Sequence, residues 1–134
     1  MNRSLRRLST VLLVFGAIAA IGVVTAPWQA PLPPRLLRTA PSVASWLIWG
    51  AQLASCACTL VCGYALRRTR PWAPVAYAWF VGSALATVLV YSFVVAVFKP
   101  VVSIVIYLVL MGPLFYWGWR IVRSAFGRRS LNAL

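Results

Sequence analysis

The sequence predicts an all-α polytopic membrane protein: four transmembrane helices in an antiparallel bundle, with both termini cytoplasmic. Three observations carry this. Of 134 residues, 63% are hydrophobic. The 13 basic residues are accompanied by no Asp, no Glu and no His. Those basic residues cluster between four long apolar runs, none of which contains a charge. A soluble domain spreads charges of both signs over roughly a quarter of its residues. Here 10% are charged, all of one sign, which cannot cover a soluble surface.

The runs lie approximately at 8–26, 43–66, 72–98 and 101–119, within a single domain over 1–134. A helix needs about 20 apolar residues to cross a ~30 Å hydrocarbon core, and each run is long enough. Hydrocarbon offers no water to backbone groups, so the runs are helices rather than strands.

The first run, Leu8 to Ala26, follows Arg3, Arg6 and Arg7. It has the outline of a cleavable signal peptide. Its apolar stretch is nearer a full span than a short signal core, and Pro27 would follow the scissile bond. A retained signal anchor is therefore expected. Its interior is almost without polar residues, so it is expected to be the most lipid-exposed helix. Pro27, Pro31, Pro33, Pro34 and Pro41 then favour an extended, polyproline-like connection.

The second run carries Gln52, the single carboxamide within a span. Gln52, Ser55, Thr59 and Cys62 fall within about 80° of arc on a 3.6-residue helix, hence on one face. Cys56, Cys58 and Cys62 have no zinc spacing, and thiols in apolar surroundings are inert. They read as structural, and no metal or cofactor is expected.

Thr69-Arg70-Pro71 opens the third run, with Thr69 as a cap and Pro71 in the first turn. Ser83, Thr87 and Tyr91 recur every fourth residue along it. Lys99-Pro100 predicts a tight reversal into the fourth run, where Ser103 and Tyr107 share a face and Gly112-Pro113 predicts a kink.

Depth can be matched across the reversals. Counting from Lys99 sets Tyr91 level with Tyr107; reflecting the second run near Thr69 sets Ser55 opposite Ser83 and Gln52 near Thr87. Gln52, Ser55, Ser83, Thr87, Tyr91 and Tyr107 thus form a candidate intramembrane polar cluster facing a common interior. The preferred reading is interhelical hydrogen bonding; a ligand or permeation site, or a surface for another membrane subunit, stays open. The pairs Gly16/Ala20, Gly50/Ala54 and Gly82/Ala86 have the spacing that lets membrane helices approach closely.

Basic residues set orientation. Arg3, Arg6, Arg7, Arg67, Arg68, Arg70, Arg120, Arg123, Arg128 and Arg129 fall on one side of four spans and far outnumber Arg35, Arg38 and Lys99 on the other. The heavier side is cytoplasmic. Trp28, Trp46, Trp49, Trp72, Tyr116, Trp117 and Trp119 sit at the run ends, as interfacial aromatics do. Arg67, Arg68, Arg70, Arg120 and Arg123 are candidate contacts to anionic phospholipid headgroups. No basic segment interleaved with aromatics separates them, so no nucleic acid is expected.

Without Asp, Glu or His the sequence builds no acid–base pair, no catalytic triad and no carboxylate proton relay. An enzyme is therefore not expected. The reading that remains is an integral protein of a bacterial inner membrane, serving as an accessory or scaffold subunit of a membrane assembly. The alternative is a small homo-oligomeric channel or carrier for a neutral or apolar solute. Partners are the bilayer and its anionic headgroups, with another subunit or self-association.

Overall fold

Apolar runs that no charge interrupts become helices, and the computed structural model shows four. It describes residues 3–25, 41–95 and 100–131. These form α1 (Arg3–Thr25), α2 (Pro41–Arg67), α3 (Ala73–Val94) and α4 (Pro100–Leu131). All four are long and apolar enough to cross a membrane. Pro27, Trp28, Pro31, Pro33, Pro34, Arg35, Arg38 and Lys99 lie outside the described residues.

Three helix ends depart from the expected boundaries, the first being that of α1, which begins at Arg3, five residues before Leu8. The third run is helical only to Val94; Val95 is extended, at φ −100° and ψ 125°, and its N–H still donates to Tyr91 O at 2.8 Å. The fourth run does not stop at Trp119. It stays helical for 32 residues, through Pro113 and past Arg120 and Arg123. At 1.5 Å per residue that is ~48 Å, well beyond a ~30 Å core. Pro113 has no N–H for the Val109 carbonyl one turn back, yet the helix continues on both sides.

The α2–α3 reversal also differs from expectation. Thr69 is not a helix cap. It takes φ 48°, the left-handed region that a β-branched residue enters only at a cost of about 1–2 kcal/mol. Two hydrogen bonds hold it there: Thr69 N–H to Leu66 O at 3.2 Å and Arg70 N–H to Ala65 O at 3.0 Å. This is the Schellman closure of α2, usually made with glycine. The residue flanking the start of α3 is Trp72, which makes no side-chain cap, and the first-turn proline is Pro74 rather than Pro71.

The core gathers at one end of the molecule. Leu5, Leu12, Cys62, Ala65, Leu66, Ala73, Ala76, Tyr77 and Val122 form one buried cluster drawn from all four helices. Leu66, Ala73 and Val122 are fully buried. Neighbours in sequence are the main neighbours in space: α1 packs most extensively on α2, then α2 on α3, then α3 on α4, while α1 touches α4 only slightly.

Of the two outer helices, α4 has the less buried apolar stretch, 6% against 17% for α1. The apolar interior of α1 hides a packing stripe of Leu5, Ser9, Leu12 and Gly16, all buried. A Cβ on Gly16 would stand 3.0 Å from Leu60 Cδ2 and 3.2 Å from Thr59 Cγ2. Small residues here let α1 lie close against α2, which is how membrane helices gain contact without a hydrophobic drive between them.

Candidate functional site

Every hydroxyl in a dry span must find an acceptor, and the nearest is its own helix backbone one turn back. Thr59 Oγ1 donates to Ser55 O at 2.7 Å, Ser83 Oγ to Phe80 O at 2.9 Å and Ser92 Oγ to Val88 O at 2.8 Å. Ser9 Oγ does the same with Arg6 O at 2.9 Å. These groups are satisfied within one helix. Among the described residues no buried side-chain nitrogen or oxygen lacks a partner.

Thr87 bridges two helices. Its Oγ1 lies 2.9 Å from Ser83 O on its own helix and 3.1 Å from Ala51 O on α2. One proton shared between two carbonyls makes a three-centre bond. It places Thr87 at the level of Ala51, one residue from Gln52. Two further side chains cross between helices. Trp49 Nε1 donates to Val23 O of α1 at 3.2 Å, and Tyr77 Oη donates to Phe115 O of α4 at 2.9 Å.

The six sequence candidates divide as follows. Gln52, Ser55, Ser83, Thr87 and Tyr107 are half-buried, while Tyr91 is 41% exposed on the outer surface. Thr87 links α3 to α2 at the Gln52 level. Tyr107 packs its ring 6.1 Å from Phe115, away from that link. The structure thus joins Thr87 to α2 through Ala51 O, one residue from Gln52, and places Tyr91 and Tyr107 away from that bond. Gln52→Leu is expected to lower stability by at most about 2 kcal/mol, read as detergent thermal unfolding. Thr87→Val, which removes the bond to Ala51 O, is expected to cost a similar amount.

The arginine candidates surround the buried cluster. Arg67, Arg68 and Arg70 flank Leu66; Arg120 and Arg123 flank Val122. The Arg68 guanidinium lies 6.0 Å from the centre of the Tyr64 ring, a cation–π distance. Trp46 and Trp49 meet edge to face at 5.5 Å.

Beyond these candidates the structure adds two close contacts. Gly63 faces Leu13 of α1: a Cβ there would stand 2.8 Å from Leu13 Cγ and 3.1 Å from its backbone nitrogen. Gly118 faces Tyr77, whose Oη would overlap any Cβ built on it. Tyr77 is 3% exposed and sits between Phe80 and Trp119, with ring centres 5.8 Å and 6.3 Å away. Thr59-x3-Gly63 has small-residue spacing and was the available signal for the first. Gly118 stands between two tryptophans, which reads as an interfacial belt.

Gly82 and Gly50 behave differently, since a Cβ on either would meet nothing. Gly82 instead opens a groove of about 580 Å³ on the outer side of the α2–α3 seam, lined by Ala54, Cys58, Ala78, Trp79, Ser83 and Ala86 among others. The three cysteines are free thiols. Among the described residues no group of His, Cys, Asp or Glu could hold a metal ion. No family model matches the chain, and no curated protein or solved structure shows significant similarity to it.

Proposed function

We propose that the chain is a non-enzymatic, four-span protein of a bacterial inner membrane, an antiparallel bundle with both termini cytoplasmic, that serves as an accessory or scaffold subunit of a membrane assembly. The contacts Leu13 with Gly63, Gly16 with Leu60 and Val23 with Trp49 run in opposite chain directions, which supports antiparallel pairing. The arginines grouped about Leu5, Leu66 and Val122 support a common cytoplasmic end.

The observation that carries the subunit reading is the groove beside Gly82. Mostly small residues line an outward notch that none of the described helices fills. In lipid such notches are where helices approach one another. Among the described residues, by contrast, no buried side-chain nitrogen or oxygen lacks a partner.

Gly82→Leu with Ala86→Leu fills the notch without touching the interior. The double variant is expected to keep its detergent melting temperature and to lose its co-purifying membrane partner. Mass measurement in native nanodiscs reads both states. A closed homo-oligomer that passes a neutral solute, and is unaffected by these changes, would support the channel or carrier reading instead. Topology is checked separately: reporter fusions at Arg68 and after Ser130 should report a cytoplasmic position and one at Arg35 the opposite side. An active alkaline phosphatase at either of the first two sites would reject the orientation.

A further inference from the structure

We infer that the first two turns of α1 form a headgroup site for an anionic phospholipid. This rests on the membrane reading above and goes beyond the arginines assigned to lipid from the sequence. Arg3, Arg6, Arg7, Thr10 and Val11 line a cleft of about 580 Å³. On a 3.6-residue helix Arg3, Arg7, Thr10, Val14, Ile18 and Ile21 fall within about 80° of arc. Arg6 and Val11 flank that stripe on either side. The packing stripe of Leu5, Ser9, Leu12 and Gly16 is buried on the opposite face. The arginine stripe is therefore the outward one.

Its chemistry changes along its length in the way a lipid does. Three guanidiniums stand at one end. No side-chain carboxylate exists anywhere in the sequence to neutralise them. Each offers five N–H donors in a planar fork that fits phosphate oxygens two at a time. Thr10 does not compete for them, because its hydroxyl donates to Arg6 O at 2.9 Å. Below the arginines the stripe becomes apolar and open: Val11, Val14, Ile18 and Ile21 are 53–65% exposed. A headgroup phosphate on the arginines sets an acyl chain along those four residues. Free phosphate would use only the upper half of this surface. Three cations within two turns favour a headgroup bearing two phosphates over one bearing a single charge.

The test uses the full chain in detergent, titrated with a phospholipid carrying two phosphates and followed by native mass measurement of retained lipid. Arg3→Lys/Arg6→Lys/Arg7→Lys keeps the charge that orients insertion and removes the bidentate forks. It is expected to retain lipid about threefold more weakly, and Arg3→Gln/Arg6→Gln/Arg7→Gln about tenfold or more. Arg120→Gln/Arg123→Gln should change retention less than twofold, and inorganic phosphate at equal phosphate concentration should not displace the lipid. Equal losses in the α1 and α4 variants would overturn the site in favour of diffuse attraction. Displacement by inorganic phosphate, or tighter binding of an acidic peptide, would overturn the lipid assignment. Should the glutamine variant fail to insert, the lysine variant alone decides. Failure of the membrane reading shows separately, as release of the wild-type chain from membranes by alkaline wash.

Discussion

Gly118→Ala is expected to destabilise the bundle by about 2–4 kcal/mol. The added carbon would overlap Tyr77 Oη and stand 2.9 Å from Cζ and 3.2 Å from Cε2. Tyr77 has nowhere to retreat, being 3% exposed and held between Phe80 and Trp119. Moving it also forfeits the 2.9 Å bond to Phe115 O, which joins α3 to the least embedded helix. Thermal unfolding in detergent, followed by the fluorescence of Trp117 and Trp119, reads the loss. A double-mutant cycle identifies its source. In a Tyr77→Phe background the overlapping oxygen is gone, so the same alanine should cost at least about 1 kcal/mol less. Equal cost in both backgrounds would show that the phenol does not set the α3–α4 spacing.

The second large effect lies on the α1–α2 seam. Gly63→Ala is expected to cost about 1–3 kcal/mol, and Gly63→Val more. The new carbon meets not only the Leu13 side chain at 2.8 Å but its backbone nitrogen at 3.1 Å, so a rotamer change cannot relieve it. The helices must separate, which also strips Gly16 from Leu60 and Thr59 and strains the Trp49 bond to Val23 O. The control has the opposite sign. A Cβ on Gly50 meets nothing, so Gly50→Ala should raise stability by roughly 0.5–1 kcal/mol through helix propensity. If both substitutions shift the melting temperature alike, close approach at Gly63 is not what holds the seam.

These contrasts define how far the fold could be read from residue order. The spans were legible because hydropathy needs no knowledge of neighbours: a charge-free run of sufficient length is a helix wherever it packs. The depth of Thr87 was legible for the same reason, since counting from a reversal fixes height along the axis. Rotation about the axis was not. Gly16 and Gly82 occupy identical small-residue patterns, yet one touches Leu60 and the other opens outward. The distinction depends on which face each helix turns to its neighbour, and four uniformly apolar helices carry little amphipathic signal to say so. That is also why α1 was expected to face lipid: beyond its first two turns the buried Leu12 and Gly16 are no more apolar than the exposed Val14, Ile18 and Ile21. The α2–α3 reversal misled for a local reason, since Thr69 fills a left-handed position where glycine is the usual marker. Tyr77 was passed over because an aromatic near Trp72 belongs equally well to an interfacial belt.

The self-paired hydroxyls have a consequence for biogenesis. Thr59, Ser83 and Ser92 bond to carbonyls of their own helices, so α2 and α3 meet the demands of those three groups before they have neighbours. For these three hydroxyls, entry into hydrocarbon does not wait on neighbouring helices, whereas the indole of Trp49 and the phenol of Tyr77 find their acceptors only on α1 and α4. Assembly then draws on the close glycine contacts and on cross-helix bonds that include those from Trp49, Thr87 and Tyr77.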